Sequence, residues 1–123
     1  MKRTLPFFAA LTLSACATVP TAPLGPSATI GQVAAVGGLR VRPLEVVEDS
    51  RCPINARCVW AGRLILRAEV ARRGFRQLRN LTLGEPQAVP GGQLTLVSAE
   101  PGKLAGEQPP LLPPRFTFEF DAE

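Results

Sequence analysis

Three cysteines carry most of the reactive chemistry that this 123-residue sequence offers. Cys52 and Cys58 are close together in the chain, whereas Cys16 stands alone near its start. A cysteine thiol can be acylated, oxidised to a disulfide or bound to a metal ion. Histidine and tyrosine are both absent, which removes the side chain that serves most often as general base and as metal ligand. The chemistry of this sequence therefore depends mainly on its cysteines.

Cys16 follows a segment with the features of an export signal. Residues 1–3 include two basic side chains, and residues 5–13 are an apolar stretch. That stretch is much shorter than the roughly 20 residues of a membrane-spanning helix, and it fits the core of a secretory signal. The run Leu13-Ser14-Ala15-Cys16 resembles the lipobox of bacterial lipoproteins, which implies cleavage before Cys16 and acylation of its thiol. The alternative is a plain secretory signal with an incidental cysteine. We predict a signal peptide over residues 1–15.

Cys52 and Cys58 remain as one pair if Cys16 carries lipid, and an oxidising compartment outside the cytosol preserves such a pair as a disulfide. A zinc site would need about four ligands, and two thiols without any histidine fall short of that number. A redox-active CxxC arrangement is excluded because five residues separate the two cysteines. We therefore predict a structural disulfide that stabilises the fold by about 2 kcal/mol, and no metal or other cofactor.

The two cysteines belong to the densest group of unusual residues in the chain, DSRCP followed four residues later by CVWAG. Asp49 and Ser50 can turn the chain by hydrogen bonding to nearby backbone, and Pro53 stiffens the segment. Trp60, the only tryptophan, is expected to lie over the disulfide. Gly62 permits a close approach of the backbone or a positive φ. The motif is expected to form a rigid loop between two strands.

Other side chains that could support catalysis are few. Glu48 and Asp49 are the only adjacent carboxylates, and Lys103 is the only lysine after Cys16. A calcium site requires six or more oxygen ligands, and no further acids cluster near this pair in the sequence. We therefore predict that the protein is not an enzyme.

Charge is distributed unevenly along the chain. Residues 40–79 contain ten arginines and four acids, whereas the remainder of the chain to its end is acidic. The densest basic group consists of Arg72, Arg73, Arg76 and Arg79. Such a group can attract an anionic surface such as lipid headgroups, an anionic polymer or an acidic protein, or it can be a solvated strand face. A nucleic-acid partner is not expected, because export is predicted.

Alternation of apolar and polar residues predicts an all-β domain. The pattern is clearest in residues 63–71 and 115–121, where Phe116, Phe118 and Phe120 share one face. The 13 prolines and 11 glycines argue against a helical bundle. Six or seven short strands at roughly ten-residue spacing are typical of an antiparallel β-sandwich or small barrel. The predicted strands cover residues 29–36, 39–47, 63–71, 75–83, 93–99 and 115–121.

A chain of this length holds one domain. Residues 16–27 are predicted to comprise the lipidated cysteine and a proline-rich tether, and residues 28–123 the single β domain. Residues 101–114, which are rich in proline, are expected to form a long exposed loop. The predicted core consists of Leu64, Leu66, Val70, Leu81, Leu94, Leu96, Phe116, Phe118 and Phe120.

The lipobox together with the D-S-R-C-P-x4-C-V-W-A-G run resembles the pattern of a family of small, functionally uncharacterised bacterial envelope lipoproteins. The specific similarity covers residues 49–62, and the general layout is similar over residues 31–120. This resemblance implies a lipid-anchored, periplasm-facing protein of the cell envelope. The residue after Cys16 is not an aspartate, and in this respect the sequence resembles lipoproteins that are sorted to the outer membrane. The resemblance implies neither a reaction nor a ligand.

Two non-catalytic functions fit these features. The first is an envelope module, structural or binding, whose partner is an envelope protein or an anionic polymer. The second is an inhibitor of an exported hydrolase, in which the disulfide loop of residues 51–58 enters the enzyme and Arg51 or Arg57 reaches an acidic pocket. A preorganised loop binds at low entropic cost. A binding loop is expected to expose its arginines, whereas a purely structural loop is expected to bury Trp60 and pair the arginines in salt bridges.

Replacement of Cys16 by serine tests the predicted anchor. The Cys16→Ser variant lacks the thiol that accepts the lipid, so it is expected in soluble or uncleaved form instead of the mature membrane-bound form. Cell fractionation and mass spectrometry of the N-terminus measure both outcomes. A Cys52→Ser/Cys58→Ser variant, which retains Cys16, is the control and should stay in the membrane fraction. Membrane retention of a mature-sized Cys16→Ser protein would contradict the prediction.

Overall fold

The computed structural model describes residues 14–16, 24–102 and 112–123, and eight β-strands make up more than half of these described residues. The strands are β1 Ser27–Thr29, β2 Ala34–Val36, β3 Leu39–Asp49, β4 Leu64–Arg72, β5 Phe75–Thr82, β6 Gln87–Val89, β7 Gly92–Glu100 and β8 Arg115–Ala122. Most of the predicted signal peptide, much of the predicted tether and the middle of the expected 101–114 loop lie outside the described residues.

The strands form two four-stranded sheets, with the orders β1-β8-β7-β6 and β2-β3-β4-β5. Every pair of neighbouring strands is antiparallel. The prediction of an all-β fold is confirmed, and the arrangement is a β-sandwich and not a closed barrel. No helix within the described residues is long and apolar enough to cross a membrane.

The core lies between the inner faces of the two sheets. In β4, buried Leu64, Leu66, Ala68 and Val70 alternate with more exposed residues, because successive strand residues point to opposite faces. In β8, Phe116 and Phe118 supply the largest buried side chains. All the predicted core residues are buried except Phe120, which is partly buried and packs against the core from its margin.

The strand count differs from the prediction because the apolar run of residues 29–36 is divided. Its first part belongs to β1 in one sheet, and its last part forms β2 in the other. Between them Gly31 has a φ of 85°, and its N–H donates a hydrogen bond to the Pro43 carbonyl at 2.8 Å. A positive φ is readily adopted only by glycine, and it lets the chain cross here from one sheet to the other. The short β6 adds the eighth strand.

Two irregularities in β3 position the residues at its end. Register shifts occur between Pro43 and Glu45 and between Val46 and Glu48. The first is consistent with the missing N–H of a proline within a strand, which favours a bulge. After the second, Asp49 lies opposite the buried Leu64. This carboxylate therefore stands on the inner-face side of the sheet, at the end of the sandwich.

Truncation of Phe118 tests the arrangement of the core. The Phe118→Ala variant should lose about 3–5 kcal/mol of unfolding free energy, because removal of a buried ring leaves a cavity. Chemical denaturation measures this loss. Leu78→Ala is the matched control, since Leu78 is 62% exposed and its truncation should change stability by about 0.5 kcal/mol or less. Equal effects of the two substitutions would contradict the placement of Phe118 between the sheets.

Candidate functional site

The segment between β3 and β4, residues 50–63, lies at one end of the sandwich and is called here the β3–β4 connection. Its two arms remain hydrogen bonded to each other beyond the strands. The Ser50 N–H donates to the Arg63 carbonyl at 2.8 Å, and the Cys52 N–H donates to the Ala61 carbonyl at 3.2 Å. The connection therefore leaves the sheet as a paired ribbon.

Gly62 allows the two arms to approach closely. Its φ is 66°, and a Cβ at this position would overlap the Ser50 carbonyl oxygen. Beside it, the Ser50 hydroxyl accepts a hydrogen bond from the Arg63 N–H at 3.0 Å. A larger residue at position 62 would force the arms apart, so both of the properties expected of this glycine are present.

The disulfide closes the outer part of the connection. Cys52 and Cys58 are bonded, with their Cα atoms 5.9 Å apart, so the predicted pairing is confirmed. Within this covalent ring the Ala56 N–H donates to the Pro53 carbonyl at 3.1 Å, which forms a turn. The backbone of the ring is thus restrained by a covalent bond and an internal hydrogen bond.

Arg51 joins the base of the connection to the opposite sheet. Its guanidinium donates two hydrogen bonds to the Asp49 carboxylate, at 2.9 and 3.0 Å. A third goes to the Ala99 carbonyl of β7 at 3.1 Å. The side chain is only 20% exposed, and a bidentate guanidinium–carboxylate pair has a defined orientation. Arg51 therefore acts as a structural link between the two sheets and is not free to enter a partner.

The expectation that Trp60 is buried and shields the disulfide is wrong. Trp60 is 71% exposed, and its neighbour Val59 is 91% exposed. Cys58 is also exposed, so a buried indole does not shield the disulfide. The physical reason is that the connection projects beyond the ends of the strands, where no second sheet faces it to form an apolar layer.

The outer part of the connection consequently presents apolar side chains to solvent. Ile54 is 76% exposed and lies on the same connection as Val59 and Trp60. Arg57 is exposed as well, and residues 50–63 contain no acid. The connection thus combines features of both alternatives, since its inner arginine is locked in a salt bridge while its outer part exposes an arginine and a tryptophan.

The basic group of β4 and β5 is not brought together on one surface. The Arg72 guanidinium donates to the Pro90 carbonyl at 2.9 Å and lies 5.8 Å from the centre of the Phe120 ring. Arg73 is exposed in the following turn. Arg76 is on the outer face, 3.8 Å from Glu69. Arg79 lies opposite the buried Ala68 in the strand register and therefore on the inner side of the sheet. Its Nε is buried without a hydrogen-bond partner among the described residues.

The structure instead assembles arginines that are distant in the sequence. Arg40 of β3 and Arg115 of β8 line one groove along the edge formed by β1 and β2. A smaller hollow beside it is lined by Arg40, Arg42 and Arg76. Alternation along β3 already places Arg40 and Arg42 on one face, but nothing local in the sequence connects them with Arg115.

Two acids of β3 are engaged in ion pairs with arginines outside these two depressions. Glu45 accepts from Arg67 at 2.9 Å, and Glu48 accepts from Arg63 at 2.8 Å. Within the described part of the chain, no group of three or more cysteine, aspartate or glutamate side chains could hold a metal ion.

No protein-family model, no curated protein sequence and no solved structure matches this chain. The functional argument therefore rests on the chemistry and geometry of its own residues.

Removal of the disulfide tests its role in the fold. The Cys52→Ala/Cys58→Ala variant should remain folded and lose about 2 kcal/mol of unfolding free energy, because closure of a short loop restricts the unfolded chain only moderately. Thermal and chemical denaturation measure this loss. Alkylation of native wild-type protein should detect no free thiol at either position. A double variant as stable as the parent would show that the bond does not serve the fold.

Proposed function

We propose that this protein is a non-catalytic lipoprotein of the bacterial cell envelope that binds a partner through the β3–β4 connection. The partner is an envelope protein or an anionic polymer, and no nucleic acid is involved. The proposed anchor is a lipid on Cys16. It attaches the protein to the outer membrane, with the folded domain facing the periplasm. The export signal and the lipobox support this location.

The observation that carries the binding proposal is the exposure of Val59 and Trp60 on a restrained backbone. Exposed apolar side chains that are grouped together mark interaction sites, and tryptophan is enriched among the residues that dominate binding energy. The disulfide, Gly62 and Arg51 restrain the connection before binding. Little conformational entropy is therefore lost when a partner covers it.

The proposal of a non-catalytic protein is supported by the engagement of the acids on β3 and β4, which include the only adjacent carboxylate pair. Glu45, Glu48, Asp49 and Glu69 each face an arginine. A general acid or base requires a carboxylate or other titratable group that is directed at a substrate and is not held by a structural partner. The sequence contains no histidine or tyrosine to replace them.

Inhibition of an exported hydrolase is the alternative function, and one observation favours it. Arg57 lies within the disulfide ring, is exposed, and forms no ion pair with the described residues. It is therefore the arginine that could enter an acidic pocket of an enzyme, whereas Arg51 is held in the base. A trypsin-like specificity pocket is the corresponding target chemistry.

Alanine substitution of Trp60 tests whether the connection binds a partner. The protein is captured from envelope extracts after crosslinking, and the bound species are compared between variants. Trp60→Ala should reduce capture of a specific partner by roughly 30-fold, which corresponds to the loss of a dominant interface tryptophan. Its unfolding free energy should change by about 0.5 kcal/mol or less, because the side chain is exposed.

Leu78→Ala is the matched control, since Leu78 is an exposed apolar residue on the outer face of β5, away from the connection. It should retain the partner. Equal capture by the Trp60→Ala variant and the parent would overturn the proposed binding site. Loss of a captured hydrolase in Arg57→Gln, with other partners unchanged, would instead select the inhibitor alternative.

A further inference from the structure

An open groove runs along the edge of the sandwich where the chain enters the domain. Its wall includes Leu24, Pro26, Gln32, Val33, Arg40 and Arg115, and the open space that it borders measures about 800 Å³. The adjacent hollow shares Val33 and Arg40 with it. The two depressions are called here the edge groove.

The edge groove is strongly basic. Arg40, Arg42, Arg76 and Arg115 line it, against one carboxylate, that of Glu69. Strand register explains this arrangement, because Arg40 lies opposite Ala71, which in turn lies opposite Arg76, and Arg42 lies opposite Glu69. These side chains therefore share the outer face of one sheet, and Arg115 joins them from the other sheet.

Arginines of the edge groove are largely unpaired. The side chains of Arg40, Arg42 and Arg115 form no ion pair or hydrogen bond with any other residue in the described part of the chain. Arg76 has only a long contact of 3.8 Å to Glu69. A guanidinium offers five N–H donors that match the oxygens of a phosphate. Charge and donor geometry thus both favour an anionic, phosphate-bearing ligand.

The position of the groove relative to Cys16 suggests the source of that ligand. Leu24, in the groove wall, is eight residues from Cys16, a span of roughly 27 Å at full extension. A lipid on Cys16 would hold the groove near the bilayer surface and raise the effective concentration of headgroups around it. The apolar Leu24, Pro26 and Val33 beside the arginines suit a ligand with a glycerol or acyl portion.

We infer that the edge groove binds the phosphate of anionic phospholipid headgroups in the bilayer that carries the Cys16 anchor. This inference rests on the proposed lipid anchor and goes beyond it, because it assigns an orientation to the domain. Each arginine brought to an anionic bilayer surface favours the bound state by roughly fivefold. The arginines of the edge groove thus dock this side of the domain on the membrane, while the β3–β4 connection projects from the end of the sandwich.

Arginine-specific labelling tests this inference on the whole lipidated protein. The protein is reconstituted into vesicles of phosphatidylcholine alone or of phosphatidylcholine with phosphatidylglycerol, and phenylglyoxal modification is followed residue by residue by mass spectrometry. Arg40 and Arg115 should react roughly fivefold or more slowly in the anionic vesicles. Arg57 and Arg73, exposed elsewhere, should react equally in both and serve as internal controls. Equal rates at Arg40 and Arg115, or equal slowing at all four, would overturn the inference.

A pair of variants tests cooperation within the groove. Arg40→Gln/Arg115→Gln should abolish the protection of Arg42 and Arg76 in anionic vesicles. Arg57→Gln/Arg73→Gln changes the net charge by the same amount and should leave that protection intact. All four substituted residues are exposed, so both variants should fold. Protection that survives in the first variant would contradict the assignment.

A labelling experiment without vesicles separates binding by the groove from membrane attachment by the anchor. Short-chain dihexanoylphosphatidylglycerol in solution should slow labelling of Arg40 and Arg115, whereas dihexanoylphosphatidylcholine and inorganic phosphate should not. Equal protection by inorganic phosphate would assign the groove to free phosphate, and equal protection by polyglutamate would assign it to an acidic protein; either result overturns the lipid assignment. If the anchor is wrong, the protein will fail to float with vesicles of phosphatidylcholine alone, while the soluble short-chain lipids still decide whether the groove binds the headgroup.

Discussion

The single apolar layer between the two sheets is the constraint on which the rest of this structure depends. It is made of inward side chains from both sheets, with Phe116 and Phe118 as its largest members, and the described residues bury no polar or charged side chain beside them. A layer of this kind has no place for charge, because an unpaired charge is costly to bury. Most arginines of the described residues consequently lie on the outer faces, the edges and the ends of the sandwich. Arg79 is the exception, because it lies opposite the buried Ala68 on the inner side of its sheet.

The end of the apolar layer also determines the character of the β3–β4 connection. Where the core stops, Arg51 replaces apolar packing with a bidentate pair to Asp49 and a hydrogen bond to β7. Beyond this link the ribbon has no facing sheet, so Val59 and Trp60 remain exposed. The disulfide and the close approach at Gly62 hold the ribbon in one conformation in place of a core. The connection therefore exposes its apolar side chains, and needs the disulfide to restrain its backbone, for the same reason: it projects beyond the sandwich.

The arginines illustrate how a pleated sheet redistributes a charged run. Arg76 and Arg79 are three residues apart on β5 and therefore point to opposite faces. Arg72 packs across the end of the core over Phe120, and its guanidinium donates a hydrogen bond to the Pro90 carbonyl. The basic surface of the molecule is built instead from β3, β5 and β8. Sequence proximity is thus a poor guide to surface charge in a β-sandwich.

Several features were determined by the sequence alone. Period-two alternation predicts the β4 and β8 strands and nearly all of the core, because it reflects the burial of one face. The number and spacing of the cysteines predict the Cys52–Cys58 bond, and the glycine at position 62 predicts a close backbone approach. Three other features were decided only by the tertiary structure: the division of residues 29–36 between two sheets, the exposure of Trp60, and the meeting of Arg40 with Arg115. Each depends on which segments face one another across the sandwich, and that pairing is set by the packing of the whole apolar layer and not by any local pattern of residues.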